Sequence, residues 1–117
     1  MSAELGWPGP VAQWISARRP HAPPALAASL SRALAPVDAH ADSAVDAERV
    51  AAACLRAAER TLSVALAEDT TGRGAALDLL TADALVTYAF EAASEVPDRL
   101  GDLARDAMAR LSRAGVP

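Results

Sequence analysis

Residues 77–94, LDLLTADALVTYAFEAAS, form the most apolar long run in the chain and decide the fold that we predict. The run contains neither Gly nor Pro and is dominated by Ala and Leu, which are strong helix formers. Its apolar residues recur at the three- and four-residue spacing of one helix face: Leu77, Leu80, Ala84, Leu85, Tyr88 and Ala92. Leu79, Val86 and Phe90 fall on the other side. A helix that is apolar on nearly all sides is buried or lies in an interface. The sequence therefore predicts a central helix around which the other helices pack.

Asp83 is a charged residue inside this apolar run, and two interpretations fit it. In the first, Asp83 belongs to a solvated polar strip that it shares with Thr87, one turn further on. In the second, it is buried between helices, where a carboxylate must be paired, hydrogen-bonded or neutralised. A buried carboxylate with a raised pKa beside a Tyr can act as a general acid or base. In that case Asp83, Thr87 and Tyr88 line a ligand pocket.

The composition bounds the size of the protein and the class of its partners. A chain of 117 residues fits one domain with a single core, and its 31 alanines favour closely packed helices. All 11 basic residues are Arg, the net charge is −4, and no long basic patch is present. Because non-specific nucleic-acid binding neutralises phosphates with basic side chains, we expect no nucleic-acid partner.

The Cys and His content argues against several kinds of site. The single Cys54 excludes an internal disulfide and a Cys-based zinc site, and its place on an apolar helix face predicts an inert buried thiol. His21 and His40 lie in loop-like segments, and no Glu-x-x-His pair, as in di-metal bundles, occurs. We therefore expect no metal, no other cofactor and no catalytic residue.

The pattern of charge along the chain also predicts its location. The N-terminus lacks the charged region followed by an apolar segment that is typical of a signal peptide. The apolar run at residues 77–94 is too short and too interrupted by Asp78 and Asp83 to predict a membrane span. We expect a soluble, cytoplasmic protein.

Residues 1–24 are predicted to form an N-terminal arm in front of a helical domain at residues 25–117. Five prolines prevent a long helix in the arm, although residues 11–17 fit a short helical segment. The only two Trp residues of the chain, Trp7 and Trp14, both lie here. Because Trp side chains carry large apolar surfaces, we expect Trp14, together with Ile15, to dock on the bundle or on a neighbouring subunit. The arm would then act as a clasp.

Two helices are predicted between the arm and the central helix. The first covers residues 24–35 and ends at Pro36, because proline disrupts a helix interior. The second covers residues 43–67 and begins at Ser43, with Asp46 three residues on as a variant of the capping box.

A turn and a last helix complete the predicted fold. Residues 69–74 contain two Gly residues and are predicted as the turn before the central helix. The last helix begins at Pro97, and Asp106 and Arg110 on it have the spacing of an ion pair. No strand pattern occurs. The predicted fold class is all-α: a small four-helix bundle-like domain with a Pro- and Trp-containing N-terminal arm.

The central run also resembles a known family. Residues 79–91, LLTADALVTYAFE, and the following Val96-Pro97-Asp98-Arg99-Leu100 resemble a helix of the trans-isoprenyl diphosphate synthases and the break after it. The resemblance covers residues 79–100. The two aspartate-rich clusters with which that family holds magnesium and diphosphate have no counterpart in this chain, where the nearest acidic pair is Glu68-Asp69. The resemblance therefore implies a non-catalytic relative that pairs with itself or with another chain through this helix.

Two classes of function fit these observations. The first is a small non-catalytic helical interaction protein, either a homodimer or an accessory subunit of a larger assembly. Its interface would include the residues Trp7, Trp14, Ile15, Val86 and Phe90. The second is an enzyme or a small-molecule-binding bundle related to isoprenoid diphosphate metabolism, with the pocket at Asp83, Thr87 and Tyr88.

Overall fold

The structure is a computed structural model that describes residues 9–39, 46–67 and 72–114. These residues form helices and no strands, so the predicted all-α fold class is confirmed. The helices are α1 (Pro10–Ser16), α2 (Pro24–Asp38), α3 (Ala47–Ala67), α4 (Arg73–Ala93) and α5 (Leu100–Ala114), with a 3₁₀ turn at Pro97–Arg99.

The helix at the centre of the bundle is α3. It packs against α1, α2, α4 and α5, whereas α4, which contains the run predicted to be central, packs against α2, α3 and α5. The prediction that residues 77–94 form the central helix is therefore wrong. The reason is that α3 buries mostly small side chains that neighbouring helices can approach from several directions: Val50, Ala51, Ala53, Cys54, Leu55, Ala57, Ala58 and Ala65.

Small side chains also line the contact between α3 and α4, which is the most extensive helix pair in the bundle. The buried face of α4 consists mainly of alanines: Ala75, Ala82, Ala89, Ala92 and Ala93. Because interaxial distance depends on the side chains at the contact, two alanine-lined faces allow a close approach. The bulkier residues of α4 are consequently distributed around its other sides.

Pro36 does not end α2, contrary to the prediction. A proline inside a helix removes one N–H donor and crowds the preceding turn. The helix nevertheless continues to Asp38, and the Ala39 N–H donates to the Ala35 carbonyl at 3.0 Å. The added residues make tertiary contacts, because Val37 is buried and the Asp38 side chain binds α1.

The start of α3 also differs from the prediction. Ser43 lies outside the described residues, and α3 begins at Ala47. Asp46 is the capping residue: its Oδ1 accepts the Arg49 N–H at 2.8 Å and its carbonyl accepts the Val50 N–H at 3.0 Å. A carboxylate in this position satisfies an N–H that has no partner within the helix.

α4 begins within the residues that were predicted to form the turn before it. Arg73 and Gly74 are the first residues of α4, and Gly72 precedes the helix with an extended backbone conformation. The Gly72 carbonyl accepts the Ala76 N–H at 3.2 Å, which closes the first helical turn.

Ion pairs join α5 to α3. The predicted pair between Asp106 and Arg110 is present, with Arg110 Nε 3.0 Å from Asp106 Oδ2. The same guanidinium reaches α3, where its Nη1 lies 3.2 Å from Glu59 Oε1. At the other end of the contact, Arg99 Nε lies 3.1 Å from Glu48 Oε2. The two helices are thus held by Leu103 and Ala107, which are buried, and by charge pairs at both ends.

Candidate functional site

The outer face of α4 is the first candidate site, and we define it by Leu79, Leu80, Asp83, Val86, Thr87 and Phe90. Large apolar side chains are partly exposed to solvent on this face: Leu79 is 48% exposed, Leu80 56% and Phe90 37%. Val86, between them, is half-buried and packs against the core. Leu79, Val86 and Phe90 are seven and four residues apart, so they form one stripe along the helix.

Two of the three residues predicted for a ligand pocket lie on this outer face. Asp83 and Thr87 are exposed, which agrees with the solvated polar strip rather than with a buried carboxylate. The Thr87 hydroxyl donates to the Asp83 carbonyl at 3.0 Å, a local bond within the helix. Tyr88 is half-buried against the core, and burial, with smaller contributions from Glu91 and Cys54, raises its pKa. The structure therefore does not bring the three side chains together around a cavity.

The described part of the predicted arm is packed against the rest of the chain. Ile15 is only 2% exposed, so it belongs to the core of this chain. Trp14 is half-buried at the edge of that core, and the Arg18 guanidinium lies 3.6 Å from the centre of its ring. Arg18 also pairs with Glu95 at 3.8 Å. Trp7 lies outside the described residues.

A carboxylate from α2 fixes the beginning of α1. Asp38 Oδ1 accepts the Val11 N–H at 2.9 Å, and Asp38 Oδ2 accepts the Ala12 N–H at 3.1 Å. These N–H groups have no partner within the helix, and the negative charge is favourable at a helix N-terminus. Gly9 is required beside this bond, because a Cβ at that position would collide with the Asp38 carboxylate. Asp38 therefore attaches α1 to the bundle.

Cys54 is the inert buried thiol that the sequence predicts. It is fully buried, and burial, with a smaller effect of the Asp38 charge, raises its pKa from 9.0 to about 12. Since the thiolate is the nucleophile and the metal ligand, a thiol that stays protonated near neutral pH performs neither role.

A second candidate site is an open groove between α2, α3 and α4, with a volume of about 210 Å³. Most of its lining surface is apolar, but three charged side chains and three hydroxyl residues contribute to it. The lining residues are Ser29, Arg32, Ala33, Arg60, Thr61, Val64, Asp78 and Thr81. Thr81 and Ser29 are both buried, and the Thr81 hydroxyl lies 2.7 Å from the Ser29 hydroxyl and 2.7 Å from the Leu77 carbonyl. This pair joins α2 to α4 at the floor of the groove.

We did not predict the groove from the sequence, although a signal for it is present. Asp78 and Thr81 interrupt the apolar run of α4 three residues apart, and three residues separate Ser29 from Arg32 on α2. Residues at this spacing share a helix face. The polar positions of the two helices could therefore have been paired with each other.

Two further findings concern ligands and membranes. Within residues 9–39, 46–67 and 72–114, no three His, Cys, Asp or Glu side chains are grouped closely enough to hold a metal ion. No helix in the same ranges combines the length and the apolar character needed to cross a bilayer.

Comparisons with protein-family models, with characterised proteins and with solved structures found no significant match. The resemblance of residues 79–100 to the trans-isoprenyl diphosphate synthases thus stays a prediction from those residues.

Proposed function

We propose that the protein is a small non-catalytic interaction module that self-associates through the outer face of α4. The observation that carries this proposal is the stripe of Leu79, Val86 and Phe90, two of which are more than a third exposed. Exposed apolar residues are common when they are scattered singly, but several of them aligned on one helix face are typical of a contact surface. Asp83 is the polar residue that interrupts this row. Leu80 widens the same face.

The symmetry of the stripe favours a second copy of the chain as the partner. In an antiparallel pair of α4 helices, Leu79 of each copy lies opposite Phe90 of the other, and Val86 lies close to the two-fold axis. An antiparallel arrangement also places the helix dipoles favourably. Such a two-fold contact uses the same surface on both copies, as most homodimers do.

The size of this surface sets the expected strength of the association. A standard protein–protein interface buries about 800 Å² on each partner, which is 20 to 30 residues a side. The outer face of α4 offers fewer residues than that. We therefore expect a weak dimer whose population depends strongly on concentration.

A pair of charge-introducing variants tests the proposal. Phe90→Glu places a carboxylate in the stripe and should give a folded monomer under conditions in which the wild type associates. Met108→Glu is the matched control, because Met108 is 64% exposed on α5, away from the stripe, and its replacement should leave association unchanged. Sedimentation equilibrium gives the mass, and circular dichroism verifies the fold. A wild type that stays monomeric at every concentration, or equal weakening by both variants, would contradict the proposal.

The enzymatic alternative has less support, because the proposed acid or base, Asp83, is exposed. We expect no magnesium-dependent prenyl transfer by this chain alone. The family chemistry needs magnesium to neutralise the departing diphosphate, and this chain lacks the two aspartate-rich clusters that hold the metal in that family. An assay of the purified protein with an allylic diphosphate and isopentenyl diphosphate checks this expectation, and any product above the blank would contradict it.

A further inference from the structure

The groove between α2, α3 and α4 contains charged groups that the fold does not use. Arg32 and Arg60 line it from α2 and α3, and Asp78 lines it from α4. Within the described part of the chain, none of the three makes an ion pair or a side-chain hydrogen bond. The guanidiniums of Arg99, Arg105 and Arg110 are paired, whereas those of Arg19, Arg56 and Arg73 also make no ion pair with a described residue. What distinguishes Arg32 and Arg60 is that they line one groove together with Asp78.

Two guanidiniums bring positive charge to the groove from different helices. The net charge of the chain is −4, yet two unpaired guanidiniums line the same small groove. Arg56, which is also exposed and makes no ion pair with any described residue, lies one turn before Arg60. Like charges at this spacing repel each other and destabilise a helix. An anion bound at the groove would remove that repulsion, and Arg is the residue best suited to hold an oxyanion through paired N–H donors.

Asp78 determines which anion the groove fits. A carboxylate at the edge of an anion site repels a bare anion, but it can accept hydrogen bonds from a ligand that also carries an ammonium group. The volume of about 210 Å³ is below the roughly 300–1,000 Å³ of pockets for drug-sized ligands, which favours a small molecule.

We propose that this groove binds a small molecule that carries both an oxyanion and an ammonium group. Arg32 and Arg60 bind the oxyanion, and Asp78 accepts hydrogen bonds from the ammonium group. Thr61, at the wall of the groove, adds a hydroxyl. The Ser29–Thr81 pair fixes the spacing of α2 and α4 and so the width of the site.

Isothermal titration with O-phosphoethanolamine and with inorganic phosphate tests this inference, at an ionic strength held constant with chloride. The wild type should bind O-phosphoethanolamine more tightly than phosphate. Arg32→Gln and Arg60→Gln should each weaken both ligands about tenfold, the effect of losing one hydrogen bond to a charged group. Arg19→Gln is the matched control and should have no effect, because Arg19 is exposed, lies outside the groove and makes no ion pair within the described ranges.

Asp78→Asn should change the affinities of the two ligands in opposite directions. Removing the carboxylate should strengthen the binding of inorganic phosphate and weaken that of O-phosphoethanolamine, so that the preference is lost. The inference is overturned if O-phosphoethanolamine shows no saturable binding, if Arg19→Gln weakens binding as much as Arg32→Gln, or if Asp78→Asn leaves the preference intact. Heat-induced unfolding of each variant verifies that the fold is retained.

Discussion

At the residue scale, the bond between Asp38 and α1 links two distant parts of the sequence. The carboxylate accepts two N–H groups of a helix that lies more than twenty residues earlier in the chain. A seven-residue helix is too short to be stable by itself, so its structure depends on such external contacts.

Asp38→Asn should lower the free energy of unfolding by about 1–2 kcal/mol, because the neutral amide turns one acceptor into a donor that faces an N–H group. Urea denaturation measures the change. Asp83→Asn is the control, since the Asp83 side chain is exposed and makes no hydrogen bond with any described residue, and it should alter the midpoint little. Equal midpoints for the two variants would show that the cap does not stabilise the fold.

Gly9→Ala should destabilise the protein by roughly 1–3 kcal/mol, because the added Cβ collides with the Asp38 carboxylate. Gly74→Ala is the matched substitution. A Cβ there meets nothing within 4 Å, and Gly74 lies in the first turn of α4, so Ala should leave the stability unchanged or raise it slightly. Only Gly9→Ala should therefore lower the urea midpoint. A stabilised Gly9→Ala variant would mean that the carboxylate can move away without loss.

Cys54 makes stability depend on pH in the alkaline range. The folded-state pKa is about 12, compared with an ordinary value of 9.0, so between these values the unfolded chain loses a proton that the folded chain keeps. The contribution of this group therefore destabilises the fold as the pH rises above about 9.

The difference in stability between the wild type and Cys54→Ala isolates this effect. The wild type should be the more stable at about pH 8, and its advantage should shrink by roughly 1 kcal/mol at about pH 10, since one pKa unit corresponds to about 1.4 kcal/mol. Urea titrations at both pH values measure it. A stability difference between wild type and Cys54→Ala that is the same at both pH values would indicate that the thiol has the same pKa in the folded and the unfolded chain.

At the element scale, α1 shows what the sequence could predict and what it could not. The short helix within residues 11–17 and the contact of Trp14 and Ile15 with an apolar surface follow from the prolines and the apolar side chains. The bond from Asp38 could not be found in this way, because it joins residues that no local pattern relates.

The other helices show the same limit. Ala- and Leu-rich periodic segments identify them, but the choice of the central helix depends on packing. A count of large apolar residues favoured α4, whereas the alanines of α3 allow neighbouring helices to approach it on several sides. The prediction that Pro36 ends α2 was wrong for a related reason. The tertiary contacts of Val37 and Asp38 outweigh the local cost of a proline inside the helix. The groove was missed because its lining comes from three helices.

The docking of α1 can be measured through Trp14. In a Trp7→Phe background, Trp14 is the only indole, and it should emit at shorter wavelength in the folded protein than in urea, because the side chain packs against the core. Adding Asp38→Asn should shift the emission toward that of the unfolded chain. Emission typical of exposed indole, unchanged by urea, would show that α1 is not docked.

At the scale of the whole molecule, the alanine-lined helix contacts and the exposed leucines both follow from a sequence rich in Ala and Leu. Close packing of α3 on α4 leaves Leu79, Leu80 and Phe90 with part of their surface in water. Self-association through the outer face of α4 would cover them. The groove lies where α2, α3 and α4 meet and includes Asp78 and Thr81, which are not part of that face, so the two proposed sites can be tested separately.

The most direct measurement is a dilution series of two-dimensional ¹H–¹⁵N NMR spectra of the wild-type protein. If two copies pair through α4, the amide signals of Leu79, Asp83, Val86 and Phe90 move with concentration along one binding curve, and those of α5 stay in place. The same signals should not move in Phe90→Glu. Spectra that are independent of concentration, or changes confined to other helices, would contradict self-association through this face.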